Sequence, residues 1–171
     1  MAIKEATDNF SEDLEVGGGE FGKVYKGVLR DGTRVTAKRF CQSLQREEEF
    51  RTEIGMLSHL RHRHLISLVG YCDEQNEMII VYEFMKKRPL KNHLYGSSLP
   101  SLSWKKRLEI CIGSAKGLHY LHTGSSKAII HRDVKSGNVL LDQNSMAKLA
   151  DFGALRTGPE IDQSREYGRK G

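Results

Sequence analysis

Short apolar runs, broken by glycine and by polar turn residues, occupy the first quarter of the chain. Between Leu14 and Phe40, a glycine cluster is followed by an apolar run, a turn signal at Asp31-Gly32 and a second apolar run. Apolar runs of strand length joined by such turns are typical of antiparallel hairpins. This segment is therefore predicted to form a three-stranded meander.

The next segment changes to a helical period. Residues Leu44 to Leu60 place their large apolar side chains on one helical face: Phe50, Ile54, Leu57 and Leu60. Two apolar runs of strand length follow, from Leu65 to Val69 and from Met78 to Phe84, and the polar residues Asp73 to Asn76 lie between them as a turn. The pattern predicts one helix and then two more strands.

A second helical pattern begins after Ser103, a suitable N-cap, and continues to Thr123. Its apolar residues recur at helical spacing: Trp104, Leu108, Ile112, Ala115, Leu118 and Leu121. We expect this helix to be the most buried one. A strand-rich front half and a helix-rich back half, joined near Glu83 to Pro89, predict an α+β fold of two lobes with a cleft between them.

Composition narrows the possible classes of protein. The chain has 171 residues, 38% of them apolar, which suits one domain with a substantial core. The net charge of +5 comes from basic residues that are interspersed with acidic ones, so a solvated surface is favoured over a nucleic-acid site. Three separated cysteines indicate neither a disulfide framework nor a zinc site, and no apolar run reaches membrane-spanning length.

A glycine-rich motif, GxGxxGxV, covers residues Gly17 to Val24. Glycines let a backbone approach phosphate groups closely, but this motif also opens dinucleotide-binding folds, where it leads into a helix. Here Val24 to Val28 continues as a strand, which argues against the dinucleotide fold. Lys38 on the following strand would lie under the same loop, and Glu53 is the acid best placed to orient it. Glu53 could also belong to a solvated helix face.

The second half carries four polar residues at the spacing that phosphoryl transfer requires. Asp133 would accept the proton of a substrate hydroxyl, and Lys135 would neutralise charge on the transferred group. Asn138 and Asp151 would hold Mg²⁺ through oxygen ligands. Each residue alone could cap a turn, but four at fixed spacing make coincidence improbable.

Together these motifs resemble the eukaryotic protein kinase family, and the resemblance extends from about Ala6 to Gly171. Asp133-Val134-Lys135 is similar to the serine/threonine type. Three further runs, 6–10, 63–72 and 117–122, resemble plant receptor-like kinases, the malectin-type branch in particular. The resemblance implies ATP and Mg²⁺ as cofactors, and a protein substrate phosphorylated on serine or threonine. It also implies a cytoplasmic location, in a domain that derives from a plasma-membrane receptor, with another kinase or a receptor as its partner.

By this resemblance, Tyr82 is the gatekeeper residue, the backbone of Glu83 to Met85 binds adenine, and a spine forms from Leu57, Leu68, His131 and Phe152. The nucleotide-binding residues implied are Val16, Gly17, Gly18, Gly19, Glu20, Phe21, Gly22, Val24, Thr36, Lys38, Tyr82, Glu83, Phe84, Met85 and Leu140. The catalytic residues implied are Lys38, Glu53, Asp133 and Lys135. The family usually has alanine where Thr36 stands, so added bulk and a hydroxyl on the roof of the adenine pocket would weaken ATP binding.

The same resemblance divides the chain into a juxtamembrane-like segment (1–13), a complete β-rich lobe (14–84) and the first part of a helical lobe that ends in the activation segment (85–171). It therefore predicts a truncated kinase domain, with Leu108, Ile112 and Ala115 left exposed. Two hypotheses follow. The chain is the ATP-binding and catalytic part of a protein serine/threonine kinase, or it is a catalytically impaired nucleotide-binding or decoy fragment.

Overall fold

A five-stranded antiparallel sheet forms the first lobe in the computed structural model, which describes residues 2–19, 22–95 and 99–160. The strands are β1 (Glu15–Gly19), β2 (Gly22–Val28), β3 (Arg34–Phe40), β4 (Leu68–Glu74) and β5 (Glu77–Glu83), in the order β1-β2-β3-β5-β4. The predicted three-stranded meander is confirmed, since β2 pairs with both β1 and β3. Between β2 and β3, Gly32 has a φ of 82° and the Thr33 amide donates to Asp31 Oδ1, as the turn signal indicated.

The predicted strand at Leu65 to Val69 is displaced in the structure. β4 begins only at Leu68 and runs on to Glu74, through part of the predicted turn, and the chain reverses at Gln75 and Asn76, where φ is 51° and 66°. Leu65 and Ile66 are buried against the second lobe instead, and the Ile66 amide donates to the Leu149 carbonyl. One part of this apolar run thus pairs within the first sheet, and the other part packs on the second lobe. The composition of the run does not indicate this division.

Two helical segments cover the two faces of this sheet. On one face lies α2 (Leu44–His59), which is capped by the Ser43 hydroxyl and buries Phe50 and Leu57. The short helix α1 (Ala2–Ala6) lies on the other face, where Ile3 and Phe10 join a small apolar cluster with strand residues. Residues 2–13, which the sequence set apart from the lobe, therefore pack against its sheet.

The second lobe consists of α3 (Leu90–Leu94), α4 (Trp104–Thr123), β6 (Lys127–Ile130), β7 (Val139–Leu141), β8 (Ala147–Leu149) and β9 (Arg156–Glu160), with β6 paired to β9 and β7 to β8. The Ser103 hydroxyl caps α4, as predicted. Two glycines let α4 approach its neighbours closely. A Cβ on Gly117 would lie 2.7 Å from the His64 carbonyl oxygen, and one on Gly113 would lie 3.0 Å from the His64 ring.

The expectation that α4 is the most buried helix is wrong. Its buried residues are Ile110, Gly113, Gly117 and Leu121, whereas Leu108 and Ile112 are about half exposed. The described chain covers only one side of this helix, so the apolar residues on the other sides meet solvent. The expected exposure of Leu108, Ile112 and Ala115 is confirmed.

One apolar core links the two lobes. It extends from Phe50 and Leu57 of α2, through Leu65 and Ile66, to Leu121 of α4 and Phe152 after β8. The arrangement is the α+β, two-lobe fold predicted from the sequence. Across the described residues, we find no helix with the length and apolar character needed to cross a membrane.

Candidate active site

Three charged side chains from distant parts of the chain meet in the cleft between the lobes. Lys38 Nζ, on β3, lies 3.1 Å from Glu53 Oε2 of α2 and 2.9 Å from Asp151 Oδ1, which follows β8. Glu53 is fully buried, and the Lys38 side chain is largely so. The predicted Lys38–Glu53 pair therefore forms, and Asp151 extends it across the cleft to the second lobe.

The Lys38 ammonium keeps its charge despite its burial. Burial disfavours the charged form, but the attraction of Glu53 and Asp151 outweighs this effect and raises the pKa of Lys38 above its ordinary value. A permanent cation is thus fixed at the junction of the lobes. Such a cation suits the binding of a polyanion.

Glu53 also links α2 to the segment after β8. Its second oxygen, Oε1, accepts the Phe152 amide hydrogen at 3.1 Å, and the Phe152 ring is completely buried. That ring lies 5.4 Å from the His131 ring, so α2 is connected to the loop after β6. Burial lowers the pKa of His131, which favours the neutral imidazole and a packing role. These contacts are consistent with the predicted spine.

A second polar cluster lies on the loop between β6 and β7. Asp133 Oδ2 accepts hydrogen bonds from Lys135 Nζ at 2.6 Å and from Asn138 Nδ2 at 2.9 Å. The Lys135 hydrogen bond is the main cause that lowers the pKa of Asp133, so the carboxylate stays ionised at neutral pH. An ionised, partly exposed carboxylate within reach of solvent can accept a proton from an incoming hydroxyl.

The side-chain oxygens of Asn138 and Asp151, between these two clusters, are suitable ligands for a Mg²⁺ ion. Within the described residues, the Asn138 side chain donates through Nδ2 to the Asp133 carbonyl and carboxylate, and its oxygen accepts no hydrogen bond there. The Asn138 carbonyl accepts the Ala150 amide hydrogen at 2.9 Å, which holds Asn138 beside the segment that carries Asp151. Mg²⁺ is commonly held by one or two protein oxygens, with phosphate oxygens and waters completing its coordination. No cluster of three or more His, Cys, Asp or Glu ligands occurs among the described residues.

The glycine-rich segment leaves room for phosphate groups. Added Cβ atoms on Gly17 and Gly19 would meet nothing within 4 Å. Among the described residues, steric contact therefore does not explain why glycine occupies these two positions. Gly22 differs, since its φ is 130° and a Cβ would lie 2.1 Å from the Arg39 carbonyl oxygen. The predicted site residues Glu20 and Phe21 lie outside the described residues.

Thr36 and Tyr82 face each other in the register of β3 and β5. Thr36, Val24 and Leu140 are half-buried, whereas Val16 is mostly exposed. All four are expected to line the adenine pocket. The buried Tyr82 hydroxyl meets no partner in good hydrogen-bond geometry among the residues that the structure describes. Burial, and then the charge of Glu53, raise the pKa of Tyr82 well above its ordinary value.

The sequence interpretation missed Lys148. Its ammonium, on β8, lies 2.8 Å from Glu83 Oε1, and the same oxygen accepts the Ser67 amide hydrogen. The half-buried segment 83–85, expected to bind adenine, is thereby tied at its first residue to the second lobe. Nothing in the pattern signals this role, since Lys148 is flanked by Ala147 and Leu149 and would be expected to face solvent.

Comparison with known proteins gives consistent matches. A family model described as protein tyrosine and serine/threonine kinase matches residues 10–170. The chain is 67% identical to a probable receptor-like protein kinase of Arabidopsis thaliana, over 96% of the chain and 20% of that protein. It is 66% identical to the receptor-like protein kinase HERK 1 and 63% identical to THESEUS 1, both also from Arabidopsis thaliana, over 95% of the chain and 20% and 19% of those proteins. The chain thus spans about a fifth of the length of these relatives.

Proposed function

We propose that this chain, which belongs to the protein tyrosine and serine/threonine kinase family, binds ATP in its cleft and transfers the γ-phosphoryl group to serine or threonine hydroxyls of proteins. The observation that carries the proposal is the position of Lys38, whose ammonium contacts both Glu53 and Asp151 across the cleft. A lysine held in this way can contact phosphate oxygens without being displaced into solvent.

The other residues of the cleft fit the remaining needs of this reaction. The backbone around Gly17 and Gly19, which is open, would cover the phosphates, and the backbone of Glu83 to Met85, between the lobes, would bind adenine. Asn138 and Asp151 would hold Mg²⁺, which offsets negative charge on the phosphates when it is bound.

The loop from Asp133 to Asn138 would act on the hydroxyl substrate. Asp133 would orient the hydroxyl and accept its proton at a carboxylate oxygen, which the lowered pKa keeps ionised. Lys135, which already hydrogen-bonds Asp133, would stabilise charge on the transferred group. A lysine two residues after the aspartate also supports serine and threonine, rather than tyrosine, as the acceptor.

The relatives suggest where this reaction takes place. They are named receptor-like protein kinases, so we infer that the chain is the kinase part of a receptor-like kinase and acts in the cytoplasm, where ATP is available. The three cysteines, Cys41, Cys72 and Cys111, lie far apart in the sequence and form no CxxC motif, which agrees with a reducing compartment. Its partners would be protein substrates and a receptor or another kinase.

Phosphoamino acid analysis tests this proposal. The chain is incubated with Mg²⁺, γ-labelled ATP and casein as a generic substrate, and the labelled residue is identified after acid hydrolysis. Label on serine or threonine is expected, and label only on tyrosine would contradict the assignment.

A second candidate function, that of a catalytically impaired nucleotide-binding or decoy fragment, is supported by Thr36, because its added bulk and hydroxyl would weaken the binding of ATP. Its half-buried side chain stands opposite Tyr82 in the strand register, on the side of the cleft where adenine would bind. A thermal-shift titration with MgATP separates the two candidates, because both predict stabilisation but only the kinase predicts product.

A further inference from the structure

Three side chains meet on the outer face of the first sheet, the face that carries α1. Arg39, on β3, donates from Nε to Glu77 Oε2 and from Nη2 to Glu77 Oε1, each at 2.7 Å. The Arg39 guanidinium also lies 4.5 Å from the centre of the Phe10 ring. Two parallel hydrogen bonds fix both the position and the plane of a guanidinium, and an aromatic ring beneath it adds attraction. Phe10, Arg39 and Glu77 together form the outer clamp.

The outer clamp lies where the backbone pairing of β3 with β5 ends. This pairing runs from Val35 opposite Glu83 to Arg39 opposite Ile79. Glu77 lies two residues further out, at the start of β5. The contact between Arg39 and Glu77 therefore links the two strands past their last backbone pair. Without such a link, the ends of strands open more readily than their centres.

Lys38 is the neighbour of Arg39 at this strand end. Its ammonium reaches the carboxylates of Glu53 and Asp151 in the cleft. Arg39 reaches Phe10 on the other face, because adjacent residues of a strand point to opposite faces of the sheet. Lysine has a flexible four-carbon side chain, so the alignment of its ammonium depends on where the backbone holds its Cα. The outer clamp fixes this backbone from the face opposite the cleft.

The turn after α1 holds Phe10 in position. Asp8, Asn9 and Phe10 have φ values of 46°, 53° and 61°, so three successive non-glycine residues are left-handed. Such a conformation is unfavourable by itself and persists where surrounding contacts impose it. The Thr7 hydroxyl provides one of these contacts, since it accepts the Phe10 amide hydrogen at 3.2 Å and Thr7 is completely buried. The Phe10 ring then packs against Tyr25 of β2, with 5.4 Å between the ring centres.

The segment 2–13 is attached to the sheet at further points. A Cβ on Gly27 of β2 would lie 3.0 Å from the Ala6 carbonyl oxygen, so a side chain there would push the two backbones apart. Lys4 Nζ of α1 lies 4.0 Å from Glu77 Oε1. The segment therefore contacts the strand that follows the glycine-rich motif and also the residues that hold the end of β3.

We propose that Arg39 is a positioning residue for Lys38. Because Phe10 and Glu77 hold Arg39, the end of β3 is fixed, and the Lys38 ammonium stays aligned with the two carboxylates in the cleft. Arg39 acts from the outer face and is not a catalytic residue. The proposal deepens the proposed function and rests on it, since Lys38 is there assigned to the phosphates of ATP. Through Phe10, it also gives the segment 2–13 a part in the nucleotide site.

The side-chain ammonium of Lys38 provides a test that needs no nucleotide. Its resonance in a proton–nitrogen correlation spectrum is assigned by its loss in Lys38→Met. We expect Arg39→Met to shift or broaden this resonance, because methionine keeps much of the side-chain length but makes neither hydrogen bond to Glu77. Arg39→Lys keeps the charge without the paired hydrogen bonds and should give a smaller change. Glu77→Gln, a milder change on the partner side, should shift the resonance in the same direction as Arg39→Met.

Arg30→Met is the matched control. Arg30 forms an ion pair with Glu5 of α1, so this variant also removes an arginine–glutamate contact between the segment 2–13 and the sheet. Arg30 is 81% exposed and lies in the turn between β2 and β3, away from the outer clamp. We expect Arg30→Met to leave the Lys38 resonance and the affinity for MgATP unchanged. Circular dichroism melting verifies that every variant is folded at the temperature of measurement.

A double-mutant cycle separates positioning from a general loss of stability. Isothermal titration calorimetry measures MgATP binding to the wild-type chain, Arg39→Met, Lys38→Met and the double variant. Arg39→Met is expected to weaken binding by at least about threefold when Lys38 is present. In the Lys38→Met background it should weaken binding by less than about 1.5-fold, because no ammonium is left to position.

Two outcomes would overturn the proposal. One is a Lys38 resonance that is the same in Arg39→Met and in the wild type. The other is an equal loss of MgATP affinity in both backgrounds, which would show that Arg39 acts independently of Lys38. If the wild-type chain binds no MgATP, the proposed function fails, but the Lys38 resonance still decides whether Arg39 positions the ammonium. The two failures are therefore distinguishable.

Discussion

The ammonium of Lys148 lies 2.8 Å from Oε1 of Glu83, and the Lys148 side chain is 10% exposed. The same carboxylate oxygen accepts the Ser67 amide hydrogen, while the Glu83 amide donates back to the Ser67 carbonyl at 3.0 Å. One glutamate thus joins the end of β5, the loop before β4 and the second lobe.

Replacing Lys148 by methionine removes the partner of this carboxylate while keeping most of the apolar volume. We expect the free energy of unfolding to fall by about 1–3 kcal/mol, because the Glu83 charge remains partly buried with one hydrogen bond fewer. Urea titration measures this change, with Lys26→Met as the exposed control. An unchanged midpoint for Lys148→Met would show that the pair contributes nothing to stability.

Two glycines of the nucleotide loop are expected to respond differently to alanine. Gly22→Ala forces a Cβ against the Arg39 carbonyl at a positive φ and should lower the free energy of unfolding by about 1–3 kcal/mol. Gly17→Ala meets open space and should leave stability nearly unchanged, but it should weaken MgATP binding if the proposed phosphate position is correct, because the added methyl group would then crowd the phosphates. Thermal melting and calorimetric titration with MgATP measure the two effects. Equal destabilisation by both variants would contradict this account of the loop.

Removing the Thr36 side chain beyond Cβ should improve nucleotide binding. Thr36→Ala is expected to tighten MgATP binding several-fold, because both bulk and a hydroxyl leave the adenine side of the cleft. Thr36→Val keeps the bulk and removes the hydroxyl, so it shows which of the two matters. Isothermal titration calorimetry gives the dissociation constants. Weaker binding by Thr36→Ala would show instead that the hydroxyl contacts the nucleotide.

Lys135 is expected to control the protonation of Asp133. Because the hydrogen bond from Lys135 lowers the pKa of Asp133 in the folded chain, the pair stabilises the fold above the ordinary aspartate pKa. This stabilisation is lost as the pH falls through the lowered value. Lys135→Met should raise the pKa of Asp133 toward its ordinary value in a carboxyl-carbon NMR titration. Asp31, whose pKa is lowered by its own turn contacts with Thr33, is the internal control and should not change. An Asp133 pKa that stays the same would exclude Lys135 as the cause.

The sequence predicts much of the candidate site because its motifs combine local order with specific spacing. Residue type and position predict the glycine-rich segment, Lys38, Glu53 and the Asp133 loop as parts of this site, and the structure brings Lys38 and Glu53 within 3.1 Å of each other. The Ser103 cap and the bounds of α2 likewise followed from local rules. Local rules succeed where neighbouring residues determine the conformation.

Long-range contacts account for the misses. The apolar pattern predicts one strand over Leu65 to Val69, but the first residues of this run pair with β8, which lies far along the chain. Lys148 pairs with Glu83 across 65 positions, and nothing near Lys148 in the sequence indicates its partner. The pattern of α4 predicts more burial than the structure shows. An apolar helical period indicates which side chains could be buried, but it does not indicate whether another element packs against them.

Transfer of labelled phosphate from ATP is the most direct test of the central claim that this cleft catalyses phosphoryl transfer. The initial rate is measured with γ-labelled ATP, Mg²⁺ and casein for the wild-type chain, for Asp133→Asn and for Lys38→Met, with Lys26→Met as the matched lysine control. We predict measurable transfer by the wild type and by Lys26→Met, and a fall of at least about 100-fold in both cleft variants. Transfer by the wild type that equals transfer by Asp133→Asn, or no transfer at all, would contradict the claim.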